Sequence, residues 1–234
     1  MKKFLNAILL LATFAVFALP AHAATPHSVK RSTLVEWLDT SEAILQDLQS
    51  STKTAIPAEV LRRAQGIVVI NQVQAGLFFG IKDGYAVALV RRPNGQWSIP
   101  IFLRAAETSL GLQIGVRSVN KVLVIMDEPT TRLLLKSRFN FGAEAKAVAG
   151  VRASESEALN KQLFDGANVL AYSQQEGFFV GASVKTGFMQ PDETSNRLFY
   201  QTNHRAPELL FSDWVTPPPE AQFIMNYVNR LTSR

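Results

Sequence analysis

The chain has 234 residues, of which 47% are hydrophobic, and its formal net charge is +5 at neutral pH. This length suffices for one substantial core, and so modest a positive charge excludes a dedicated nucleic-acid binder. Because cysteine is absent, the composition also excludes disulfides, a thiolate metal site, a cysteine nucleophile and a cysteine-linked lipid.

Residues 1–23 have the layout of a secretory signal peptide. Two lysines precede an apolar run over residues 4–19, and residues 21–23 form a small-x-small cleavage site. The apolar run is shorter than the roughly 20 residues of a spanning helix, which disfavours a retained anchor. We therefore predict an exported, periplasmic protein that starts at Ala24 and is soluble or peripheral on a membrane.

Hydrophobic periodicity predicts an amphipathic helix over residues 30–48, on which Trp37 widens an apolar stripe of leucines. A second, shorter helix is indicated by Pro57 near its start and by Arg62 and Arg63 near its end. The two arginines have two possible roles. They complement the dipole at the helix C-terminus, or they contact a ligand.

The segment from residue 67 to residue 126 is rich in Val, Ile, Leu and Phe, with Gly and Asn between the apolar runs, which predicts strands joined by tight turns. Three blocks in the chain look alike: GLFFG at 76–80, GLQIG at 111–115 and GFFVG at 177–181. On a strand, glycines four apart would clear one face for a close neighbour. A packed helix or a barrel bend is favoured as that neighbour, and a bound acyl chain is the alternative.

The Asn-Gly pair at 94–95 predicts a β-hairpin, because both residues tolerate the positive φ of a type I′ turn. A two-residue loop would place Arg92 opposite Trp97. Pro100 cannot donate to a ladder, so the second strand should lie at an edge or contain a bulge there. The apolar pairs that this register predicts are Val90 with Ile99, Ala88 with Ile101 and Ala86 with Leu103.

Trp97 has two possible roles in this hairpin. It covers the end of the core, which composition favours, or it is exposed as an interfacial anchor beside Arg91 and Arg92. In the second role the indole enters a headgroup region, and each nearby cation gains about 1 kcal/mol on an anionic surface.

The remainder of the chain alternates between helix and strand signals. Residues 206–234 are predicted to be a Pro-containing linker and a short C-terminal amphipathic helix that docks on the domain, with docking on a membrane as the alternative. The elements predicted before that segment are a short helix after Asp127, a strand at 169–173, a strand at 177–188 and a helix that begins near Asp192.

Neither catalysis nor metal binding has a motif in this sequence. His27 and His204 lack a second ligand at metal spacing, and the signatures of serine hydrolases, phosphate-binding loops and zinc proteases are missing. Asp127 and Glu128 precede a proline, as residues at a helix start do. We predict a non-enzymatic protein with no catalytic residues, metal or cofactor. A catalytic pair of carboxylates that are distant in the sequence and meet only in the fold is the alternative left open.

Six segments follow one another in the order typical of a known family. They are AEVLRRAQGIVVI (58–70), NGQWSIPIF (94–102), SLGLQIGVRSVNKVLVIM (109–126), FNFGAEAKAVAG (139–150), VLAYSQQEGFFVGASVKTGFMQPD (169–192) and NRLFY (196–200). On these segments the chain resembles the SYLF family, also called the Ysc84-type lipid-binding domain, as a bacterial exported member. In one loop, at 105–108, the chain reads AAET where the family is commonly glycine-rich.

The resemblance implies a single compact α+β domain over residues 24–205, built on a curved antiparallel sheet or barrel with flanking helices, that binds membrane lipids. In eukaryotic relatives the lipids are phosphoinositides and some members bind actin. For an exported protein, an anionic phospholipid membrane is the expected partner, while a protein partner is unknown. The alternative function is an envelope module that binds a protein partner or an enclosed small apolar ligand.

The candidate lipid-binding residues combine the family positions with the hairpin. The family positions supply the amphipathic helix and the basic segment before Gly66, and the hairpin supplies an arginine pair and an indole. Together the candidates are Lys30, Arg31, Trp37, Arg62, Arg63, Arg91, Arg92 and Trp97.

Overall fold

A computed structural model describes residues 29–76, 79–110, 115–140, 147–149, 166–173 and 187–233. The predicted features that lie outside these residues are the signal peptide, the second glycine block up to residue 114, the third glycine block and most of the strand predicted at 177–188. The helices are α1 (Arg31–Gln49), α2 (Ala58–Arg63), α3 (Glu128–Leu133), α4 (Glu193–Tyr200), α5 (Ala206–Phe211) and α6 (Pro219–Thr232). The strands are β1 (Gly66–Gly76), β2 (Phe79–Val90), β3 (Ile101–Leu110), β4 (Gly115–Ile125), β5 (Ala147–Ala149), β6 (Val169–Ser173) and β7 (Gly187–Pro191).

The strands form one sheet in the order β5-β6-β4-β1-β2-β3-β7. All neighbouring pairs are antiparallel except β5 and β6. An isolated bridge between Phe139 and Met189 places the chain that leads to β5 beside β7, the opposite edge of the sheet. The predicted α+β fold, an antiparallel sheet with flanking helices, is confirmed.

An ion pair between Lys121 on β4 and Glu107 on β3 shows how strongly the sheet curves. Nζ and Oε2 are 2.5 Å apart and both side chains are almost fully buried. Strands β1 and β2 separate these residues in the sheet, which would put the two strands about 14 Å apart if the sheet were flat. The concave face must therefore fold over this pair.

Helices pack on the opposite, convex face. Trp37 of α1 stacks on Tyr85 of β2 with ring centroids 4.2 Å apart, and Phe199 of α4 meets Phe102 of β3 edge to face at 5.2 Å. Because successive strand residues point to opposite faces, Phe102 points away from the side that carries Glu107. Aromatic pairs of this kind contribute about 0.5–1.5 kcal/mol each beyond their burial.

The helix starts that the sequence indicates are present. The Asp127 side chain accepts a hydrogen bond from the Thr130 N–H and begins α3, and the Asp192 side chain accepts one from the Ser195 N–H and begins α4. Both follow the usual N-cap pattern, in which an aspartate satisfies an otherwise unpaired N–H of the first turn.

The C-terminal segment packs into the same core. The helix α6 docks on the domain, as the sequence predicts, and α5 is a further helix within the segment that we predict to be a linker. Pro219 is the first residue of α6, the helical position that tolerates proline best. The buried apolar side chains of these two helices are Ala206, Leu209, Leu210, Ala221, Ile224, Val228 and Leu231.

The hairpin differs from its predicted register by one residue. Its loop has three residues, because the Gly95 N–H donates to the Arg92 carbonyl and the Arg92 N–H donates to the Gln96 carbonyl. Gly95 has a φ of 81°, whereas Asn94 is not among the described residues with positive φ, so the turn is not type I′. The pair opposite each other is therefore Arg91 and Trp97, and the predicted pairing of Arg92 with Trp97 is wrong.

The lower part of the hairpin regains the predicted register. The Ser98 N–H donates to the Val90 carbonyl, so the predicted pair of Val90 with Ile99 is wrong. The predicted pairs Ala88 with Ile101 and Ala86 with Leu103 are correct. One extra residue between Ser98 and Ile101 therefore forms the bulge predicted around Pro100, and β3 has a neighbour on both sides rather than an edge position.

The first glycine block does not lie on one strand. Gly76 ends β1, and it pairs with Gly80 of β2 on one side and with Gly115 of β4 on the other. The block thus spans the connection between two strands, and the prediction that it clears one face of a single strand is wrong for this block.

Candidate functional site

Four of the predicted arginines meet at one end of the molecule, which we call the basic end: Arg62, Arg63, Arg91 and Arg92. The Arg91 N–H donates to the Gln65 carbonyl at 2.8 Å, and its side-chain Nε donates to the Ala64 carbonyl at 3.0 Å. These two bonds fasten the hairpin directly behind the last turn of α2. Residues 27 positions apart in the chain are thereby neighbours.

Arg91 is held mainly by contacts within the fold. Its guanidinium lies over the Trp97 ring, 5.1 Å from the centroid. Partial burial lowers the pKa of Arg91, and its Nη2 atom is buried without a hydrogen-bond partner within the described structure. A buried donor without a partner loses its hydration without gaining a hydrogen bond in return. The position of Arg91 is therefore set by its contacts with Ala64 and Trp97, although not all of its donors are satisfied.

Arg92 fastens the other side of the basic end to α5. Its Nε donates to the Leu210 carbonyl at 3.0 Å and its Nη2 to the Leu209 carbonyl at 3.3 Å. Cations near a helix C-terminus are stabilised by unpaired carbonyls and by the helix dipole. Partial burial lowers the pKa of Arg92, and the charge of Asp213 opposes that shift.

Arg62 and Arg63 are the two arginines of the basic end that lie in solvent. Arg62 forms an ion pair with Glu59 one turn earlier in α2, and about half of each side chain is exposed. Ion pairs at such positions contribute little to stability. Both side chains are exposed, and they occupy the last turn of α2, where they complement its dipole.

Trp97 lies in the core. Only 5% of it is exposed, and its Nε1–H donates to the Thr232 Oγ1 at 2.9 Å. Thr232 belongs to the last turn of α6, so a helix far along the chain covers the indole. The expectation of an exposed Trp97 is wrong, and the role that composition favours, covering the end of the core, is the observed one.

Of the remaining predicted residues, Arg31 lies at the opposite end of α6. Arg31 pairs with Glu220, with Nη1 and Oε1 2.7 Å apart, and this bond raises the pKa of Arg31 and lowers that of Glu220. Trp37 packs on the sheet rather than facing outward, while Lys30 is exposed. Glu220 and Thr232 are twelve positions apart in α6, about 18 Å along the helix, so Arg31 does not join the basic end.

Two exposed aromatic side chains are absent from the predicted set. Trp214 follows α5 and is 67% exposed, and Phe223 on α6 is 62% exposed. The Trp214 ring lies 5.4 Å from the ring of His204. The polar and proline-rich context of Trp214, in SDWVTPPPE, is the signal that could have indicated its exposure.

The described residues also contain a narrow apolar crevice between α1 and the strands β4 and β6, which has no room for a water molecule. The Tyr172 hydroxyl is buried without a hydrogen-bond partner there, and burial raises the pKa of Tyr172. In the part of the chain that is described, no group of three or more His, Cys, Asp or Glu residues could hold a metal ion. No helix in that part is long and apolar enough to cross a bilayer.

The curved sheet, the helices on its convex face and the basic end define an α+β domain with exposed cations at one end. A family model described as Ysc84, Las17-binding protein actin regulator, matches residues 106–231, which is more than half of the chain. The chain belongs to this family, and the resemblance to SYLF domains is confirmed.

The chain is also similar to longer proteins. It is 27% identical over 180 residues to the SH3 domain-containing YSC84-like protein 1 of Rattus norvegicus, covering 76% of this chain and 52% of the relative. It is 29% identical over 166 residues to the LAS seventeen-binding protein 3 of Saccharomyces cerevisiae (strain YJM789), covering 70% of this chain and 36% of the relative. The chain thus matches about half or less of the length of these relatives, and no solved structure matches it.

Proposed function

We propose that the protein is exported to the periplasm and binds anionic phospholipid membranes peripherally and without enzymatic activity, through basic residues and exposed aromatic side chains. The observation that carries this proposal is the solvent exposure of Arg62 and Arg63 beside the hairpin arginines. Each cation close to an anionic bilayer gains about 1 kcal/mol, so such a cluster suffices for reversible binding.

Co-sedimentation of the processed protein with vesicles tests this proposal. We expect binding to vesicles of phosphatidylglycerol and phosphatidylcholine, weak binding to phosphatidylcholine alone, and release as salt screens the charges. The double variant Arg62→Gln/Arg63→Gln should bind more weakly. The control variant Arg104→Gln/Arg197→Gln removes the same charge from exposed positions on β3 and α4 and should bind as the parent does.

Two results would contradict the proposal. One is equal binding to neutral and anionic vesicles without any salt dependence. The other is an equal loss of binding in the two double variants, since this would assign the attraction to net charge rather than to the basic end.

A second candidate function, an envelope module that binds a protein partner, is favoured by the name of the yeast relative, LAS seventeen-binding protein 3. Mass spectrometry of the protein purified from its own envelope distinguishes the two candidates. Co-purifying anionic phospholipid supports the first, whereas one protein present in a constant ratio, without lipid, supports the second.

A further inference from the structure

Trp214 is the exposed tryptophan of this molecule. The chain has three tryptophans, and the other two are packed. Trp97 is 5% exposed, and Trp37 stacks on Tyr85. By contrast, 67% of Trp214 is in water. An indole is large and mostly apolar, and its ring with one N–H suits a boundary between an apolar phase and water.

Contacts of the preceding helix place Trp214 next to the basic end. Arg92 donates to the carbonyls of Leu209 and Leu210 in the last turn of α5, and the charge of Asp213 acts on the Arg92 guanidinium. The loop that carries Trp214 therefore leaves α5 beside the Arg92 side chain. On another side of the same helix end, the Arg132 guanidinium lies 4.8 Å from the centre of the Phe211 ring.

The surroundings of Trp214 are positive on balance. The basic end, Arg132 and Arg205 contribute six guanidinium groups, and the carboxylates in the same region are those of Glu59, Glu128, Glu193, Glu208 and Asp213. One positive charge is left over. An anionic surface is therefore the complementary occupant of this region.

The size of the patch favours a bilayer over a folded partner. A stable protein interface buries about 800 Å² on each side, and its centre is a cluster of anchors. A single indole beside arginines does not provide such a centre. It matches the membrane interface, where tryptophan lies among the headgroups and cations lie beside it.

We infer that Trp214 is the interfacial anchor of the protein: its indole enters the headgroup region of an anionic bilayer while the exposed arginines of the basic end, Arg62 and Arg63, contact the headgroups. The inference rests on the proposed function and adds an apolar contact to it. Trp97, covered by α6, cannot supply that contact.

Tryptophan fluorescence of the processed full-length protein tests the inference. On addition of phosphatidylglycerol–phosphatidylcholine vesicles, the emission should shift to shorter wavelength, and brominated acyl chains should quench it. The variant Trp214→Phe should lose the shift and the quenching, whereas Trp37→Phe should keep both.

Affinity provides the second readout. Trp214→Ser should weaken vesicle binding about tenfold, because partial removal of an indole from water is worth roughly 1.4 kcal/mol. The control Leu198→Ser changes another exposed apolar side chain, 39% exposed on α4, and should leave the affinity unchanged. Circular dichroism and the melting temperature of each variant establish that it is folded.

The outcomes separate the inference from the proposed function. If the parent protein does not bind anionic vesicles, both are wrong. If it binds and Trp214→Ser binds equally well, with no quenching by brominated lipid in the parent, the inference is wrong and the proposed function stands. Binding of a protein without lipid, lost only in Trp214→Ser, would also overturn the inference.

Discussion

Trp97 and Trp214 lie near the same arginine pair and have opposite surroundings. Trp97 is separated from Arg91 by only six positions, and α6 covers its ring through the bond to Thr232. Trp214 is far away in the sequence, and the docking of α5 on Arg92 brings it to the same end with its ring in solvent. Local sequence identified the arginines, but distant helices decided which indole is exposed.

The largest expected difference between the two tryptophans is in stability. Trp97→Ala should lower the free energy of unfolding by about 3–5 kcal/mol, because it empties a buried aromatic site. Trp214→Ala should change it by no more than about 0.5 kcal/mol. Urea unfolding followed by circular dichroism measures both, and similar losses in the two variants would contradict the comparison.

A smaller difference is expected between the partly buried and the exposed arginines of the basic end. Arg92→Ala should lower the free energy of unfolding by about 1.5–3 kcal/mol, because two charged hydrogen bonds to the carbonyls of α5 are lost. The matched change Arg63→Ala should cost no more than about 0.5 kcal/mol. Amide exchange should also show that α5 opens more readily in Arg92→Ala alone. Equal stability of the two variants would mean that Arg92 does not hold α5.

The hairpin loop that positions Trp97 provides a third test. Gly95→Ala should cost about 1–2 kcal/mol, because the φ of 81° at this position is unfavourable for a residue with a Cβ atom. Gly95→Asn should cost less, since asparagine tolerates this conformation. A two-residue type I′ loop would instead require positive φ at Asn94, so an Asn94→Ala variant as destabilised as Gly95→Ala would argue against the observed loop.

The smallest effect is expected at the other end of α6. The bond to Arg31 lowers the pKa of Glu220, so the folded state gains stability when this carboxyl is ionised. That gain is present above the ordinary pKa of 4.5 and is lost as the pH falls through the lower folded value. Glu220→Gln should therefore lower the melting temperature slightly at neutral pH, and by less at pH 3. A decrease of the same size at both pH values would contradict this assignment.

Much of the local structure could be predicted from short-range patterns. The helix predicted at 30–48 is α1, the strand predicted at 169–173 is β6, and the aspartates predicted to begin helices do so. These features depend on periodicity and on hydrogen bonds within one turn. The predicted hairpin register is wrong by one residue near the loop, because the loop contains Pro93 as well as Asn94 and Gly95. The Asn-Gly pair alone does not indicate the length of the loop.

The candidate site could be predicted only in part. The four arginines of the basic end were identified from the family segments and the hairpin. Arg91 and Arg92 are bonded within the fold, whereas the other two arginines are exposed. This difference arises from hydrogen bonds to the carbonyls of Ala64, Leu209 and Leu210, and no local sequence pattern indicates those bonds. Trp37 was expected to face a membrane, and the stacking partner that holds it, Tyr85, lies on a strand 48 positions later.

The sequence by itself determined the family, from six short segments in order, and also the helices with clear periodicity and the two arginine pairs, because each segment, helix and pair consists of residues close together in the chain. The tertiary structure alone decided that Lys121 and Glu107 meet across the concave face. It also decided that α6 covers Trp97, through the hydrogen bond to Thr232, and that Trp214 is exposed to solvent near the basic end. Exposure depends on which distant surface covers a side chain, and that is settled when the sheet curls and the last helices dock.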